Sequence, residues 1–212
     1  MTSGHFDGKA CDNKASVLFG HDKQYRDPHD KRMRQLVSPH QNARPAGLGI
    51  ELIVLHAISL PDGEFDMQYV EDLFMGRLDC GACPEFSELK GLAVSAHFVV
   101  DRKGEVTQFV GCEKRAWHAG VSQWQGRSQC NDFAIGIEII GDERQSFTAA
   151  QYRETARLCR YLMRRYPLIR RENIVGHQDI APGRKWDPGR QWDWHHFNRS
   201  LSHIRHDQLE VL

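Results

Sequence analysis

Two histidines and an aspartate occupy positions from which a chain can build a metal site. His56 directly follows the apolar run 52–55, and His177 directly follows the short apolar run 174–176. Because strand ends in open α/β sheets face the ligand crevice, we expect both imidazoles at one edge of a sheet. Asp187 comes ten residues after His177, on a loop stiffened by proline and glycine. Three protein ligands and one open position are the arrangement of a catalytic zinc site, which acidifies water.

Two alternatives compete with this zinc hypothesis. Either histidine, taken alone, could cap its strand or satisfy a hydrogen bond in the core. The pair Cys80 and Cys83, in the sequence CGAC, could instead hold a metal. A structural zinc site needs a second pair of ligands at matching spacing, however, and the nearest other cysteine is Cys112. A simple loop is the competing interpretation of the CGAC stretch.

Glu138 and Lys185 are candidate catalytic residues. Glu138 lies in AIGIEII, where side-chain alternation puts it on one face with Gly136 and Ile140. An ionised carboxylate in such a strand is costly unless it is paired, and beside an activated water it can act as general base. The alternative is an ion pair with an arginine of the following helix. Lys185 could stabilise the oxyanion formed when hydroxide attacks a carbonyl, although loop lysines are usually only solvated.

The elements that must position these residues are strands interleaved with helices. Buried strands are predicted at 49–56, 134–140 and 173–177, and Lys103-Gly104 predicts a hairpin with strands at about 95–101 and 105–110. Asp66 is the expected N-cap of a helix that runs to about Gly76. Thr148 and Gln151 predict a capping box for a second helix, which Pro167 ends, and a closing helix is expected from Trp192 to about residue 203.

This element order predicts one α/β domain with a central mixed β-sheet flanked by helices. We expect this domain to follow a polar N-terminal stretch that is an extended arm or a partly disordered tail. The stretch up to about residue 45 has too little apolar sequence to offset its ordering entropy. A chain of 212 residues is long enough for one sizeable core.

Composition excludes several classes of partner. Lysine and arginine total 28 residues and aspartate and glutamate also total 28, so no global field attracts nucleic acid or an anionic membrane. The tryptophans could form a stacking surface for nucleic acid, but without a basic patch groove walls or core are favoured. Apolar runs fall far short of the roughly 20 residues that span a bilayer. The N-terminus has no apolar signal segment, and six scattered cysteines fit reduced thiols, so we expect a cytoplasmic protein.

Five segments in a fixed order resemble one family. The segments are LIVLHAISLPDGEF, GLAVSAHFVVDRKGEVTQFV, RAWHAGVSQWQGR, CNDFAIGIEI and GHQDIAPGRKWDPG. Together they resemble the AmpD type of N-acetylmuramyl-L-alanine amidase, a branch of the fold that includes phage amidase lysozymes and peptidoglycan recognition proteins. The resemblance covers roughly residues 37 to 200. It implies an amidase domain at 37–205, after a polar and partly disordered N-terminal arm at 1–36 and before a C-terminal tail at 206–212.

The resemblance implies a Zn²⁺ enzyme that cuts the bond between the lactyl group of anhydro-N-acetylmuramic acid and L-alanine during recycling of cell-wall fragments. It implies His56, His177 and Asp187 as zinc ligands, and Glu138 and Lys185 as catalytic residues. Trp117 and His118, in RAWHAG, would line the substrate groove. The expected partner is a small muropeptide, with no nucleic acid and no membrane, and we expect a monomer.

Four residues depart from the family pattern. Ala57 stands where asparagine usually follows the zinc histidine, Trp186 replaces a threonine, and Ala93 and Gln129 stand where arginine is common. These changes leave the metal chemistry intact but alter the residues expected to bind sugar and peptide carboxylates. Arg184, next to Lys185, is then the best remaining candidate to hold a peptide carboxylate.

Two other functions compete with recycling. Some relatives of this fold bind muropeptides without cleaving them, typically after losing a zinc ligand, whereas all three ligands are present here. A lytic amidase that acts on intact cell wall, with the N-terminal residues as an arm, is the second alternative.

Overall fold

The structure is a computed structural model, and it describes residues 33–202. Most of the predicted N-terminal arm and all of the predicted C-terminal tail lie outside the described residues. The division of the chain into arm, domain and tail therefore stays a prediction. No helix within the described part of the chain is long and apolar enough to cross a membrane.

Strands and helices interleave along the described residues. The α-helices are α1 (Met67–Phe74), α2 (Ala149–Arg165), α3 (His177–Ile180) and α4 (Trp194–Ser202). The strands are β1 (Arg34–Gln35), β2 (Gln41–Ala43), β3 (Leu52–Ile58), β4 (Phe98–Val100), β5 (Val106–Gln108), β6 (Lys114–Ala116), β7 (Gln123–Trp124), β8 (Arg127–Ser128), β9 (Ala134–Ile140) and β10 (Ile174–Gly176). Short 3₁₀ turns lie at Pro84–Leu89, Cys130–Asp132 and Arg171–Asn173.

The central sheet is mixed, as predicted. Its six strands follow the order β1-β5-β4-β9-β3-β10, and every neighbouring pair is parallel except β4 and β5. The antiparallel pair is the predicted hairpin, although each of its strands is shorter than expected. The connections between the parallel strands carry the helices, as crossovers between parallel strands require.

The two faces of β3 and β9 have different roles because side chains alternate along a strand. Ile53, Leu55 and Ile137 lie in the core cluster that also contains Leu162 of α2 and Phe197 of α4. Each such fully buried side chain contributes about 1.5–3 kcal/mol to stability, so this face anchors the sheet firmly. The opposite face carries His56 and Glu138, which are direct register partners on adjacent parallel strands.

Local signals place the helices where the sequence predicts them. Thr148 and Gln151 form the predicted capping box of α2, and Asp66 caps α1 by accepting the backbone N–H of Gln68. Helix α1 ends at Phe74, slightly before the predicted end. Helix α4 begins at Trp194 rather than at Trp192, because the Asp193 side chain accepts the backbone N–H of His196 at its start.

Residues 33–44, the described part of the stretch before residue 45, are more ordered than their composition predicts. Strand β1 pairs with β5 at the sheet edge, and β2 pairs with β6 in a separate ribbon. An ion pair between Arg34 and the buried Glu71 of α1, with a closest N–O distance of 2.6 Å, holds β1 in place. These strands have little apolar sequence, so partners far along the chain order them.

Candidate metal centre and active site

The sheet and its following loop bring His56, His177 and Asp187 to one point. His56 ends the buried part of β3, and His177 opens α3 directly after β10, which pairs with β3. The Nδ1 atoms of the two histidines lie 2.9 Å apart, and Asp187 Oδ2 lies 3.1 Å from that of His56 and 3.0 Å from that of His177. All three side chains are buried.

Hydrogen bonds alone cannot account for this triangle. Two imidazole nitrogens and one carboxylate oxygen form three mutual contacts, yet each neutral imidazole has only one N–H to donate. Any proton placement therefore leaves one pair of atoms donor to donor or acceptor to acceptor. Two ligands about 2.0–2.1 Å from one zinc ion at the tetrahedral angle would be roughly 3.3 Å apart. The observed separations of 2.9–3.1 Å fit a small cation held by all three atoms.

The loop that carries Asp187 is fixed by its backbone. The backbone N–H of Gln178 donates to the carbonyl of Asp187 at 2.9 Å, which ties the end of the loop to its start. Gly176 lets the loop approach β10, since a Cβ atom there would lie 2.8 Å from Pro188. Gly183 and Gly189 adopt positive φ angles of 75° and 77°, which glycine tolerates best. The stiff loop therefore keeps the Asp187 carboxylate at a set distance from His56 and His177.

Charge states at the centre favour metal binding. Burial lowers the pKa of His56 to about 4, against the opposing effect of the hydrogen bond with Asp187, so this imidazole is neutral near pH 7 and keeps a lone pair. Burial by itself would raise the pKa of Asp187, but hydrogen bonds with His177 and His56 outweigh it and hold that pKa below its usual range. Neutral imidazoles and an ionised carboxylate are the forms that bind zinc.

Glu138 lies beside this centre without an ion-pair partner among residues 33–202. It is the register neighbour of His56, it is buried, and its Oε2 atom has no hydrogen-bond partner. The alternative of an ion pair with an arginine of α2 is therefore wrong. Burial, and to a smaller extent the charge of Asp187, raises the pKa of Glu138, while Lys185 opposes that rise. A carboxylate in this state is poised to hold a proton, which suits a general acid–base group.

Replacing Glu138 with glutamine should stabilise the zinc-free protein, and the effect should depend on pH. Because the folded carboxyl has a raised pKa, the folded state keeps a proton that the unfolded chain releases above the ordinary pKa of 4.5. The wild type therefore loses stability as the pH rises from 4.5 towards the folded pKa, and Glu138→Gln should not. Relief of a buried unsatisfied carboxylate is expected to contribute roughly 1–3 kcal/mol, with about 2–4 °C in Tm per kcal/mol.

Thermal melts of both proteins between pH 4.5 and 8, in chelator, measure this difference. The gap in Tm should widen with increasing pH. A gap that is absent, or equal at every pH, would show that the Glu138 carboxyl is not destabilised by burial.

The other predicted site residues divide into those near the centre and those elsewhere. Lys185 is solvent-exposed, and its charge acts on both Glu138 and His56. Trp186, beside it, is 41% exposed. Trp117 is partly buried, stacks on His40, and donates its Nε1–H to Asn42 at 2.8 Å. Trp117 thus presents a fixed aromatic surface, and its role as a groove wall stays a prediction.

Three further candidate residues have surroundings that the sequence did not predict. His118 is only 9% exposed and lies behind His56, with its Nδ1 atom 3.0 Å from His56 Nε2. Ala57 packs against the core on the face of β3 opposite His56, because alternation turns it away. The Arg184 guanidinium donates to the carbonyls of Ala119 and Val121, and its role in binding a peptide carboxylate stays a prediction. Sequence reasoning missed these supporting roles, since no local pattern indicates them.

The CGAC cysteines are not part of a metal cluster in the described structure. Cys80 and Cys83 are free, partly exposed thiols. Within residues 33–202, His56, His177 and Asp187 are the one group in which three potential ligand atoms converge. The rival metal site therefore lacks the further ligands that zinc needs.

Together, the mixed α/β sheet, the convergent His, His and Asp side chains and the neighbouring carboxylate form a hydrolase-like site that could hold a metal ion. The sequence profile of the N-acetylmuramoyl-L-alanine amidase family matches residues 45–190, and the chain belongs to this family. The family resemblance carried by the sequence motifs is thus confirmed.

Curated proteins similar to this chain include AmpD amidases from several bacteria. The 1,6-anhydro-N-acetylmuramyl-L-alanine amidase AmpD of Haemophilus influenzae is 49% identical over 139 residues, which cover 66% of this chain and 76% of that protein. AmpD of Escherichia coli is 49% identical over 134 residues, which cover 63% of this chain and 73% of that protein.

Solved structures share the fold. A crystal structure of a selenomethionine AmpD derivative superposes with a TM-score of 0.78 at 46% identity, over 80% of this chain and 94% of that chain. The E. coli amidase AmiD, in complex with its substrate anhydro-N-acetylmuramic acid-L-Ala-D-γ-Glu-L-Lys, gives a TM-score of 0.54 at 28% identity, over 75% of this chain and 60% of that chain. The predicted fold class is confirmed.

Proposed function

We propose that this protein is a zinc amidase that hydrolyses the lactyl-L-alanine amide bond of 1,6-anhydro-N-acetylmuramyl peptides during recycling of cell-wall fragments. The observation that carries the proposal is the triangle of His56, His177 and Asp187 ligand atoms directly beside the buried, unpaired Glu138. The names of the relatives with 48–49% identity supply the substrate class.

The three ligand residues would hold the zinc ion through His56 Nδ1, His177 Nδ1 and an oxygen of Asp187. A zinc ion bound there would supply Lewis acidity, which polarises a carbonyl oxygen and makes water more acidic. The protein contributes two imidazoles, the ionised carboxylate of Asp187 and a stiff loop that keeps their spacing. A site loose by about 1 Å can lose on the order of 10²-fold in rate, so this stiffness matters for turnover.

Glu138 would transfer the proton, and Lys185 would stabilise the negative charge that develops on the substrate. Glu138, as the register neighbour of His56, accepts a proton from the attacking water and returns it to the amide nitrogen as the C–N bond breaks. The Lys185 ammonium stabilises the negative charge that develops on the carbonyl oxygen. The exposure of Lys185 fits this role, because it can approach a substrate that enters from solvent.

We expect this protein to recognise its substrate with fewer contacts to the peptide carboxylates than the family pattern implies. Ala93 and Gln129 are exposed and offer no charge where arginine is common. Without these bidentate partners, we propose weak discrimination by stem length and by the third peptide residue. Trp117 supplies an aromatic wall. We further propose a monomeric enzyme that works in the cytoplasm, where recycled fragments are small and diffusible.

Mass spectrometry of the products from a mixture of anhydromuropeptides, ordinary muropeptides and intact cell wall tests this function. We expect release of free stem peptide from the anhydromuropeptides and little from intact wall. Efficient release from intact wall would instead identify a lytic amidase. Binding of muropeptides without any cleavage, in zinc-loaded protein, would identify a non-catalytic binding module.

A further inference from the structure

We propose that two consecutive residues, His118 and Ala119, orient both metal-binding histidines, with His118 acting as the positioning residue for His56. This inference rests on the proposed zinc function and adds to it the residues that set metal affinity without touching the metal. Four features of the structure carry it: a histidine pair, a shared carbonyl, a glycine that makes room, and an arginine clamp.

The hydrogen bond between His56 and His118 has only one direction that permits metal binding. His56 Nδ1 faces the ligand point and must keep its lone pair, so the single proton of the neutral ring sits on Nε2. That Nε2 lies 3.0 Å from His118 Nδ1, which must therefore accept the hydrogen bond. His118 thus fixes both the tautomer and the ring orientation of His56. Ligating histidines generally donate their second N–H in this way, and the partner tunes metal affinity.

His177 is oriented by Ala119, the residue that follows His118. Its Nε2 atom lies 3.1 Å from the carbonyl oxygen of Ala119, which can only accept. The proton of His177 therefore also sits on Nε2, and its Nδ1 faces the ligand point with a lone pair. Both metal-binding histidines thus take their tautomers from adjacent residues of one segment.

The position of His118 is built into the surrounding backbone. The amide oxygen of Asn131 accepts the backbone N–H of both His118 and Ala119, at 3.1 and 2.8 Å. A Cβ atom at Gly136 would lie 2.5 Å from His118 Cγ, so this glycine makes room for the ring. His118 Nε2 is buried without a hydrogen-bond partner in the described structure. An unpaired buried donor costs about 1–3 kcal/mol, which a purely structural role does not explain.

Arg184 holds the carbonyl side of the same segment. Its Nη2 atom donates to the carbonyls of Ala119 and Val121, each at 2.6 Å, and its Nε atom donates to that of Val121 at 3.1 Å. The Ala119 carbonyl is therefore shared between His177 and a guanidinium from the loop that carries Asp187. This contact gives the exposed Arg184 a structural reason to influence metal binding.

Zinc dissociation constants, measured by competition with a chromophoric chelator, test the proposal. His118→Leu removes the acceptor and should weaken zinc binding about 10–100-fold. His118→Asn can place its amide oxygen close to the position of Nδ1, and it should stay within about threefold of the wild type. Melting of the zinc-free variants separates orientation from folding, since a merely structural role would lower Tm and zinc affinity together in both variants.

A second pair of variants covers the case in which His118→Leu does not fold. Arg184→Ala changes an exposed side chain and should weaken zinc binding about 3–10-fold. Arg190→Ala, an exposed arginine on the same loop, is the matched control and should leave zinc affinity unchanged. Equal affinity in Arg184→Ala and the wild type, or in His118→Leu and the wild type, would overturn the proposal. A wild type that does not bind zinc at all would instead overturn the proposed function.

Discussion

Replacing His177 with alanine should abolish both zinc binding and amidase activity. His177 provides one of three ligand atoms that lie 2.9–3.1 Å from one another, and two remaining ligands do not define a tetrahedral site. Zinc content after dialysis should fall to background. The rate should fall on the order of 10³-fold or more, because the Lewis acid contributes several kcal/mol of transition-state stabilisation.

The double variant Cys80→Ser with Cys83→Ser is the control for this experiment. Both thiols are free and lie outside the ligand triangle, so zinc content and activity should match the wild type. Full zinc occupancy in His177→Ala, or zinc loss in the cysteine variant, would show that zinc binds somewhere other than at His56, His177 and Asp187.

Replacing Glu138 with glutamine should separate chemistry from metal binding. The amide is close in shape to the carboxylate but cannot accept the proton of water, so kcat should fall about 10²–10⁴-fold, the range typical of general acid–base groups. Zinc affinity should stay near that of the wild type, since Glu138 contributes no atom to the ligand triangle. Steady-state kinetics with zinc analysis of the same sample provide both numbers.

Lys185→Ala should also lower kcat for amide hydrolysis, by removing the positive charge proposed to stabilise the carbonyl oxygen. Loss of an oxyanion-stabilising donor is expected to lower kcat about 10²–10³-fold. Zinc content should again be retained. Near-normal turnover in Glu138→Gln would assign the base to another residue, and near-normal turnover in Lys185→Ala would leave that lysine as an ordinary solvated side chain.

Activity and stability are expected to oppose each other at Glu138. The same glutamine variant that loses catalysis should melt at a higher temperature without zinc, because burial disfavours the charged carboxylate. In the proposed mechanism, this buried and unpaired carboxylate is tolerated because catalysis requires it beside the proposed metal ligands.

The sequence by itself predicted the long helices, the central strands and the candidate ligand set. Strand β9 matches its predicted bounds, and the capping box at Thr148 and Gln151 forms as expected. Such signals are short in range: hydrophobic periodicity, capping side chains and turn residues act within a few positions of one another. His56, His177 and Asp187 could be chosen as candidates because each follows a strand or lies on a stiff loop.

Only the tertiary structure decided what surrounds those ligands. The pairing of β3 with β9 and β10 joins residues about 80 to 120 positions apart, and this register puts Glu138 beside His56. The same packing places His118 against His56, on the side away from Asp187 and His177. It also places the Arg184 guanidinium where it donates to the Ala119 carbonyl. A sequence pattern reports which face of its own strand a side chain occupies. Which atoms meet it there depends on contacts between distant segments, and these are fixed only when the whole core packs.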